Sequence, residues 1–541
     1  MNSCLSVDEI LRRVAHELLA SRGRATAVAL ACCCRTFEDS VLDELWATQE
    51  GLLPLLRSLP EDVWNGDKNV GVPIEFVFSS LNFFIRKSFE RLPTTPEWAR
   101  FRNYSRRMRK LRIPSTLGVL SPDVFWVLQL CAINDPLFPN LRILRLYSIT
   151  AEFLPFIPLF LSPGITGIVT TFDGSSAPRV IVASIFATLP KLCPNLQDIA
   201  LRSLPLDPMI TAAVSGMILA SNRNTLRSVK IDSPLTEEAC EVTCKLPNLR
   251  DLWVVVERGT SLPPLVLPNL THLDIRYNHD SGRLQMPHEA TLGKLESIII
   301  RSSSEHIGNF LEVFGESALA ASAYNTLSRF LFLTTRPWMP NYRSLLPFTQ
   351  LRYLVIESSC DSGCSSNVDD DIIATLARAM PKLEILQLGS PPCRDIPTGA
   401  TAKGLVVLAH HCPNLYTLRV HFQVASLCTS PATVEVAPNT ASTSMRRVCA
   451  LTQLEVGKIP VPEESVLVVA LTLIIIFPHL RCVYSSDIEN WEKVEDALRL
   501  ARQIVDFSSK EHCFCAPQSN FSDISIAATL GDGSQLGGSS T

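Results

Sequence analysis

Glycine is scarce in this chain, with 23 in 541 residues. That excludes a glycine-rich, low-complexity or fibrous protein. A surplus of one charge is also lacking, since 49 Lys and Arg stand against 53 Asp and Glu for a net −4. A chain so balanced is not drawn wholesale to nucleic acid or to an anionic membrane. Charged residues are only 19% of the total, too few for a mainly disordered chain. Long hydrophobic runs are missing too. The longest, Val466–Phe477, is interrupted by Thr472; it is short of the roughly 20 residues that cross a bilayer and suits a buried element. The opening MNSCLSVDEILRRVAHELL carries Asp8 and Glu9 and no apolar core of a secretory leader. With no export signal, the 17 cysteines read as reduced, buried thiols, Cys32-Cys33-Cys34 among them. These absences predict a soluble intracellular protein, cytoplasmic or nuclear, that makes no membrane contact.

What is present is apolar: 46% of residues are hydrophobic. A chain of this length exceeds one ordinary core, so it holds several domains or an elongated repeat. A short phrase recurs: apolar, two variable, apolar, one variable, apolar. It reads Leu141-Arg-Ile-Leu144-Arg-Leu146 after FPN and Leu196-Gln-Asp-Ile199-Ala-Leu201 after CPN. Further copies carry Leu249, Leu252 and Val254; Leu270, Leu273 and Ile275; Leu383, Leu386 and Leu388; and Leu415, Leu418 and Val420. Looser ones start at Met108, Ile165, Leu226, Leu295, Leu327, Leu351, Leu451 and Leu480. The copies recur about every 29 residues, the spacing of a stacked repeat.

Between phrases lie helical patterns: Ile307, Phe310, Leu311 and Phe314; Ile372, Ile373, Leu376 and Met380 after a capping Asp run at 369–371; and Leu405, Leu408 and His411. Each unit is therefore a strand followed by a helix, and only stacking covers its apolar stripe. This resembles the leucine-rich-repeat family in its long, irregular intracellular form, over roughly 105–490. The Asn or Cys that the family places after the second Leu pair is mostly absent here. The resemblance implies an α/β solenoid, with a curved parallel sheet inside and helices outside.

The first fifty residues differ. Ser6 and Glu9 have capping-box spacing. Val7, Ile10, Leu11, Val14 and Leu18 then form one helical stripe that Gly23 ends. A second helix follows with Ala27, Leu30 and Cys33 or Cys34 inward, and a third with Val41, Leu42, Leu45 and Trp46. Three short helices make a very small core, which usually needs a partner to finish burying its apolar surface. The order of the LSVDEI, ALACCCRTF and LDELW segments resembles an F-box domain, especially the divergent ones of fungal proteins with leucine-rich repeats. The match covers about 4–48, with Ser6 where the family typically has Pro.

The two resemblances imply a three-helix F-box-like module at 4–48 and the repeat array at 105–490; around them the sequence reads as a helical linker at 49–104, a helical cap at 491–515 and, from its composition, a disordered tail at 516–541. The F-box resemblance implies a non-catalytic substrate-recognition subunit of a Skp-cullin-F-box type ubiquitin ligase. The module would dock a Skp-type adaptor, which links to a cullin and a RING subunit. Leu5, Ile10, Leu11, Leu30, Leu42 and Leu45 are the candidates for adaptor contact or its immediate support. A target protein would lie on the concave sheet. Its candidate residues are Trp253, Val255, Arg276, Ile299, Leu331, Leu333, Tyr353 and Val355, with Asp274, Arg301 and Glu357 as flanking charge. Such an apolar, aromatic patch suits a protein partner.

Two readings stay open beside it. One is a repeat scaffold without a ligase link, in which 1–48 packs back against the first repeats. The other is nucleic-acid binding, because residues 86–112 hold ten Lys or Arg against two acids, interleaved with Trp98, Phe101 and Tyr104; a solvated linker face is the plainer account of that run. Cys240 and Cys244, and Cys360 and Cys364, have the spacing of metal ligands. Neither pair has nearby histidines, so no metal or other cofactor is expected. His410-His411 reads as a helix C-terminal feature. The 430–444 stretch reads as a loop enlarging one repeat. Gly-x-Ser-x-Gly, phosphate-loop and His-Glu-x-x-His motifs are absent from the sequence.

Overall fold

The computed structural model describes residues 8–21, 23–63, 88–114, 120–132, 135–172, 178–256, 262–277, 286–287, 289–303, 310–334, 340–358, 368–389, 399–428, 448–457, 459–485 and 488–511. Leu5, Ser6, Val7, Ile307, the Cys360 and Cys364 pair, the 430–444 loop and the 516–541 tail lie outside these residues.

Three helices come first: α1 (Asp8–Ala20), α2 (Arg24–Cys33) and α3 (Arg35–Ala47). Fifteen parallel strands then form one sheet in sequence order. They are β1 (Thr48–Glu50), β2 (Lys110–Ile113), β3 (Ile143–Ile149), β4 (Gly167–Phe172), β5 (Asp198–Arg202), β6 (Ser228–Ile231), β7 (Asp251–Val256), β9 (His272–Tyr277), β11 (Ser297–Ser302), β12 (Arg329–Thr334), β13 (Tyr353–Ser358), β14 (Ile385–Leu388), β15 (Thr417–Arg419), β16 (Gln453–Gly457) and β17 (Cys482–Ser485). A separate parallel pair joins β8 (Leu265–Val266) to β10 (Ala290–Thr291). The connecting helices are α4 (Leu53–Leu56), α5 (Thr95–Ser105), α6 (Pro122–Cys131), α7 (Arg179–Leu192), α8 (Pro208–Ala220), α9 (Glu237–Thr243), α10 (Phe310–Gly315), α11 (Ala318–Ala323), α12 (Asp370–Ala379), α13 (Ala402–His411), α14 (Ala425–Cys428), α15 (Val466–Ile476) and α16 (Ile488–Glu511).

Each of the fourteen repeat phrases carries a strand. Their second apolar residues stand in register as one buried ladder, through Leu111, Leu144, Ile168, Ile199 and Val229 to Phe330, Leu354, Leu386, Leu418 and Leu454. Each such side chain contributes about 1.5–3 kcal/mol by leaving water. The Pro-Asn that precedes many phrases has a physical role. Asn140, Asn195, Asn248 and Asn269 each donate from Nδ2 to a backbone carbonyl of the preceding turn, at 2.7, 3.1, 2.9 and 2.9 Å. One repeat is thereby stitched to the next. Among the described residues the helices cover this side of the sheet, and the other side carries no helix. A helix is about 10 Å wide and a strand spacing is about 4.8 Å, so the open face is the concave one.

Three details depart from expectation. The sheet begins at Thr48, the last residue of the expected three-helix module, and runs into the expected linker, well before 105, because β1 pairs with β2 through Gln49 and Leu111. Gln49 is a polar rung on the buried ladder, satisfied by donating from Nε2 to Leu45 O at 2.7 Å. Not every unit has a helix either. The phrases at Leu249, Leu270 and Leu295 follow one another so closely that the short strands β8 and β10 take the place of helices in the described residues there. Lastly, the C-terminal helix starts at Ile488 rather than 491. It packs on α15 through buried Trp491, Val494 and Leu498, and Trp491 Nε1 donates to Ile459 O at 2.6 Å.

Candidate functional site

Two surfaces stand out, one at each level of the architecture. The first is the helical unit. Its core is small: Ala15, Ala27, Val41 and Leu45 are buried, with Leu18, Leu30, Phe37, Leu42 and Trp46 packed around them. Leu11 is buried as well. Leu11 and Leu45, read as adaptor candidates, are thus interior supports, and Leu30 and Leu42 are half-buried. The expected α1 stripe is rotated. Leu11, Ala15 and Leu18 turn inward, whereas Ile10 and Val14 are 41% and 40% exposed. Apolar residues occupy more than one face of α1, and the small Ala15 is the one that lets α3 approach. On α2 only Ala27 is fully buried, and Val28 is 48% exposed. Cys32 and Cys33 are exposed free thiols rather than buried ones, because so small a core has no room for a fully enclosed second helix.

Ion pairs fix the unit to the sheet. Arg107 donates to Asp39 at 2.6 Å and also to Asp43, both on α3. Asp43 in turn accepts from Arg12 of α1 at 2.8 Å. Arg12 pairs with Asp8 at 2.8 Å. The Ser40 hydroxyl and Arg12 together hold the Asp8 carboxyl below its usual range. Trp46 stacks on Tyr104 with centroids 4.7 Å apart. A cleft of about 580 Å³ remains between the unit and the first strands, lined in part by His16, Arg24, Glu44, Arg109 and Lys110. Arg107 and Arg109 of the basic run are therefore committed to carboxylates, Arg109 reaching Glu44 at 4.0 Å. Arg106 donates to Asn103 at 2.6 Å.

The second surface is the open face. Strand alternation puts Trp253, Asp274, Arg276, Ile299, Arg301, Leu331, Leu333, Tyr353, Val355 and Glu357 on it, opposite the buried ladder. Register brings Trp253, Asp274, Ile299, Leu331 and Val355 into one row across β7 to β13. Ile299, Leu331, Leu333 and Val355 are half-buried there. Val255 is the exception, being only 5% exposed. It lies two residues from Trp253 and directly opposite Arg276, and at that exposure it offers a partner almost no surface.

Charge frames this apolar centre. On one side Arg301 donates to Asp274. Burial pushes the Asp274 carboxyl up, and the Arg301 guanidinium pulls it the other way. Arg202 and Arg301 lie over the Trp253 ring, 5.8 and 5.4 Å from its centroid. On the other side Arg419 donates to both Glu357 and Glu455. Arg329 lies 4.5 Å from the Tyr353 ring centroid. The contribution of Arg202, and of Arg145 on β3, was not drawn from the sequence, although the same alternation in Leu144-Arg145-Leu146 and Leu201-Arg202 carries it.

Cys240 and Cys244 lie one turn apart on α9 and at its C-cap. Among the described residues no group of three or more His, Cys, Asp or Glu is placed to hold a metal ion. None of the described helices is long and apolar enough to cross a membrane.

Neither a protein-family model nor a curated protein matches the chain. Among solved structures it is similar to a chain of the yeast Rad7 and Elc1 complex, at 14% identity and a TM-score of 0.28, over 54% of this chain and 79% of that one.

Proposed function

We propose that this chain is the substrate-recognition subunit of a Skp-cullin-F-box type ubiquitin ligase. Its α1–α3 unit serves as the F-box-like module that docks a Skp-type adaptor, and its strand-and-helix array is a leucine-rich-repeat solenoid that holds a target protein on the open face. The observation that carries this reading is the surface of α1–α3. Ile10, Val14 and Val28 stand in water around a small core of Leu11, Ala15, Ala27, Val41 and Leu45. Exposed apolar side chains on so small a unit favour a partner that covers them. Such a subunit needs no catalytic residue: holding a target beside a ubiquitin-loaded enzyme raises the effective concentration of the target lysine.

A second reading is a repeat scaffold without a ligase link. It is favoured by the way α3 runs directly into β1 and by the Arg107 and Trp46 contacts, which make the unit a cap on the array. One experiment separates the two. The full chain is co-expressed with a Skp-type adaptor and run on a sizing column. The ligase reading expects co-elution, lost in Ile10→Asp and Val28→Asp variants whose circular dichroism is unchanged. A folded wild-type chain that elutes without the adaptor leaves the scaffold reading in its place.

A further inference from the structure

The β3–β11 half of the open face holds more cations than the described carboxylates of that face pair with. Arg145, Arg202 and Arg276 are exposed and have no ion-pair partner among the described residues. Arg276 on β9 stands directly opposite Arg301 on β11. Like charges directly opposed across a sheet destabilise it. Asp274 pairs with Arg301 and lies in the field of Arg276 as well, so one carboxylate faces two guanidinium groups and positive charge is left over. Among the other described carboxylates of this half, Asp232 follows β6 beside Arg202 and accepts from Ser203 N and Leu204 N, and two more are engaged or off to one side. Asp251 lies within 3.7 Å of Lys230 and 3.2 Å of His272. Asp198 and Asp251 sit in the row of strand starts, at Ser228 and His272, not in the row that holds Arg276 and Arg301. Between these arginines lies Trp253, a flat apolar ring with Arg202 and Arg301 over it. The apolar row Ile299–Leu331–Val355 begins on the next strands.

We infer that this half-face receives an acidic segment of a client protein, its anionic groups against Arg202, Arg276 and Arg301 around Trp253 and its apolar residues on Ile299, Leu331 and Val355. The inference rests on the open face being the target-binding surface, as proposed above, and not on adaptor docking. From β5 to β13 the sheet advances six strand spacings, about 29 Å, which an extended segment of about nine residues spans. The aliphatic row Ile299, Leu331 and Val355 favours the aliphatic side chains of a peptide over a nucleic acid, whose bases stack on aromatic rings rather than on aliphatic side chains. Carboxylates and phosphate esters share the required chemistry, since both accept bidentate bonds from guanidinium groups.

The test uses the full chain and fluorescein-labelled peptides read by anisotropy. The probes are an acidic run followed by Leu-Val-Leu, its lysine-for-acid counterpart, a phosphoserine version and an oligo-dT of matched length. The acidic probe is expected to bind and the lysine probe to bind at least tenfold more weakly. Raising salt from about 0.05 to about 0.3 M should weaken the complex several-fold. An Arg202→Glu, Arg276→Glu double variant should lose at least tenfold in affinity with its melting temperature unchanged. Tighter binding of the phosphoserine probe names phosphate as the anion, and equal or weaker binding names carboxylate; both support the inference. It is overturned if a folded chain binds no acidic probe, if the lysine probe binds as well, if the double variant binds like wild type, or if oligo-dT binds more tightly than the peptide. Adaptor co-elution without acidic-probe binding sinks this inference alone and leaves the ligase reading standing.

Discussion

Arg107 and Asp43 join the helical unit to the sheet. The guanidinium, only 9% exposed, spans Asp39 and Asp43 on α3 while its own backbone leads into β2. Removing it leaves Asp43, itself 24% exposed, with Arg12 alone. Charge-assisted bonds at half-buried sites are worth about 1.5–3 kcal/mol before solvent screening, and the Asp39 arm, 83% exposed, adds little. Arg107→Ala is therefore expected to loosen the unit by about 1–3 kcal/mol. Hydrogen exchange should accelerate across residues 8–47 and stay unchanged in β11–β14. No acceleration would show that the packing of Trp46 on Tyr104 holds the junction without this arginine, and uniform acceleration would show that the unit and the sheet unfold together.

A second close relationship ties α12 to α13. The Asp370 carboxylate accepts from Thr401 N at 2.8 Å, Thr401 Oγ1 at 2.6 Å and Gly404 N at 3.0 Å. A β-carbon on Gly404 would meet Asp370 Oδ1 at 2.6 Å and Ile373 Cδ1 at 3.1 Å. Helix propensity favours Ala over Gly by about 1 kcal/mol, but overpacking costs about 1–3 kcal/mol and displaces a carboxylate with three bonds. The clash wins. Gly404→Ala should lower stability by about 1–2 kcal/mol in a denaturant titration. A stabilised variant would mean that Asp370 moves aside freely.

These particulars show what the sequence made legible. The spacing of apolar residues placed all fourteen strands, because a buried ladder demands one apolar side chain at each rung and leaves a periodic trace. β1 escaped because its rung is Gln49, whose amide is satisfied by Leu45 O and so needs no apolar side chain. The inward face of α1 was misjudged because Ile10 and Val14 satisfy the helical period as well as Leu11 and Ala15 do; only the position of α3 decides between them. On the open face, alternation placed these side chains opposite the buried ladder, yet Val255 is only 5% exposed, which alternation does not foresee. The pairing of Arg301 with Asp274 and of Arg419 with Glu357 depends on register between repeats, which no single repeat encodes.

The cysteines divide by environment, and that division is measurable. Burial pushes the Cys412 thiol up to about 12, and Cys193 and Cys449 up to about 11. A thiol reacts as its thiolate, so at about pH 8 these three are both protonated and inaccessible. Cys32 and Cys33 are exposed. Brief iodoacetamide treatment of the native chain should alkylate Cys32 and Cys33 and spare the other three, as read by peptide mass spectrometry. If an adaptor covers α2, its presence should slow labelling of Cys32 and Cys33 as well. Rapid native labelling of Cys412 would contradict the packing of α13 against α12.

Leu331 and Phe332 are chain neighbours that face opposite ways, and this separates recognition from stability. Phe332 is fully buried and stacks on Phe310 with centroids 4.6 Å apart. Phe332→Ala should cost about 3–5 kcal/mol, the usual range for a buried aromatic ring. Leu331 points to the open face and is half-buried, so Leu331→Ala forfeits less than a full transfer from water, about 1 kcal/mol or less. Leu331→Arg adds a cation beside the apolar row without disturbing the buried ladder. It should leave the melting temperature within a few degrees of wild type while abolishing capture of any client that rests on Ile299, Leu331 and Val355. The same melting curve with undiminished client capture would place recognition away from this row, and a collapsed melting curve would show that the open face at β12 is core.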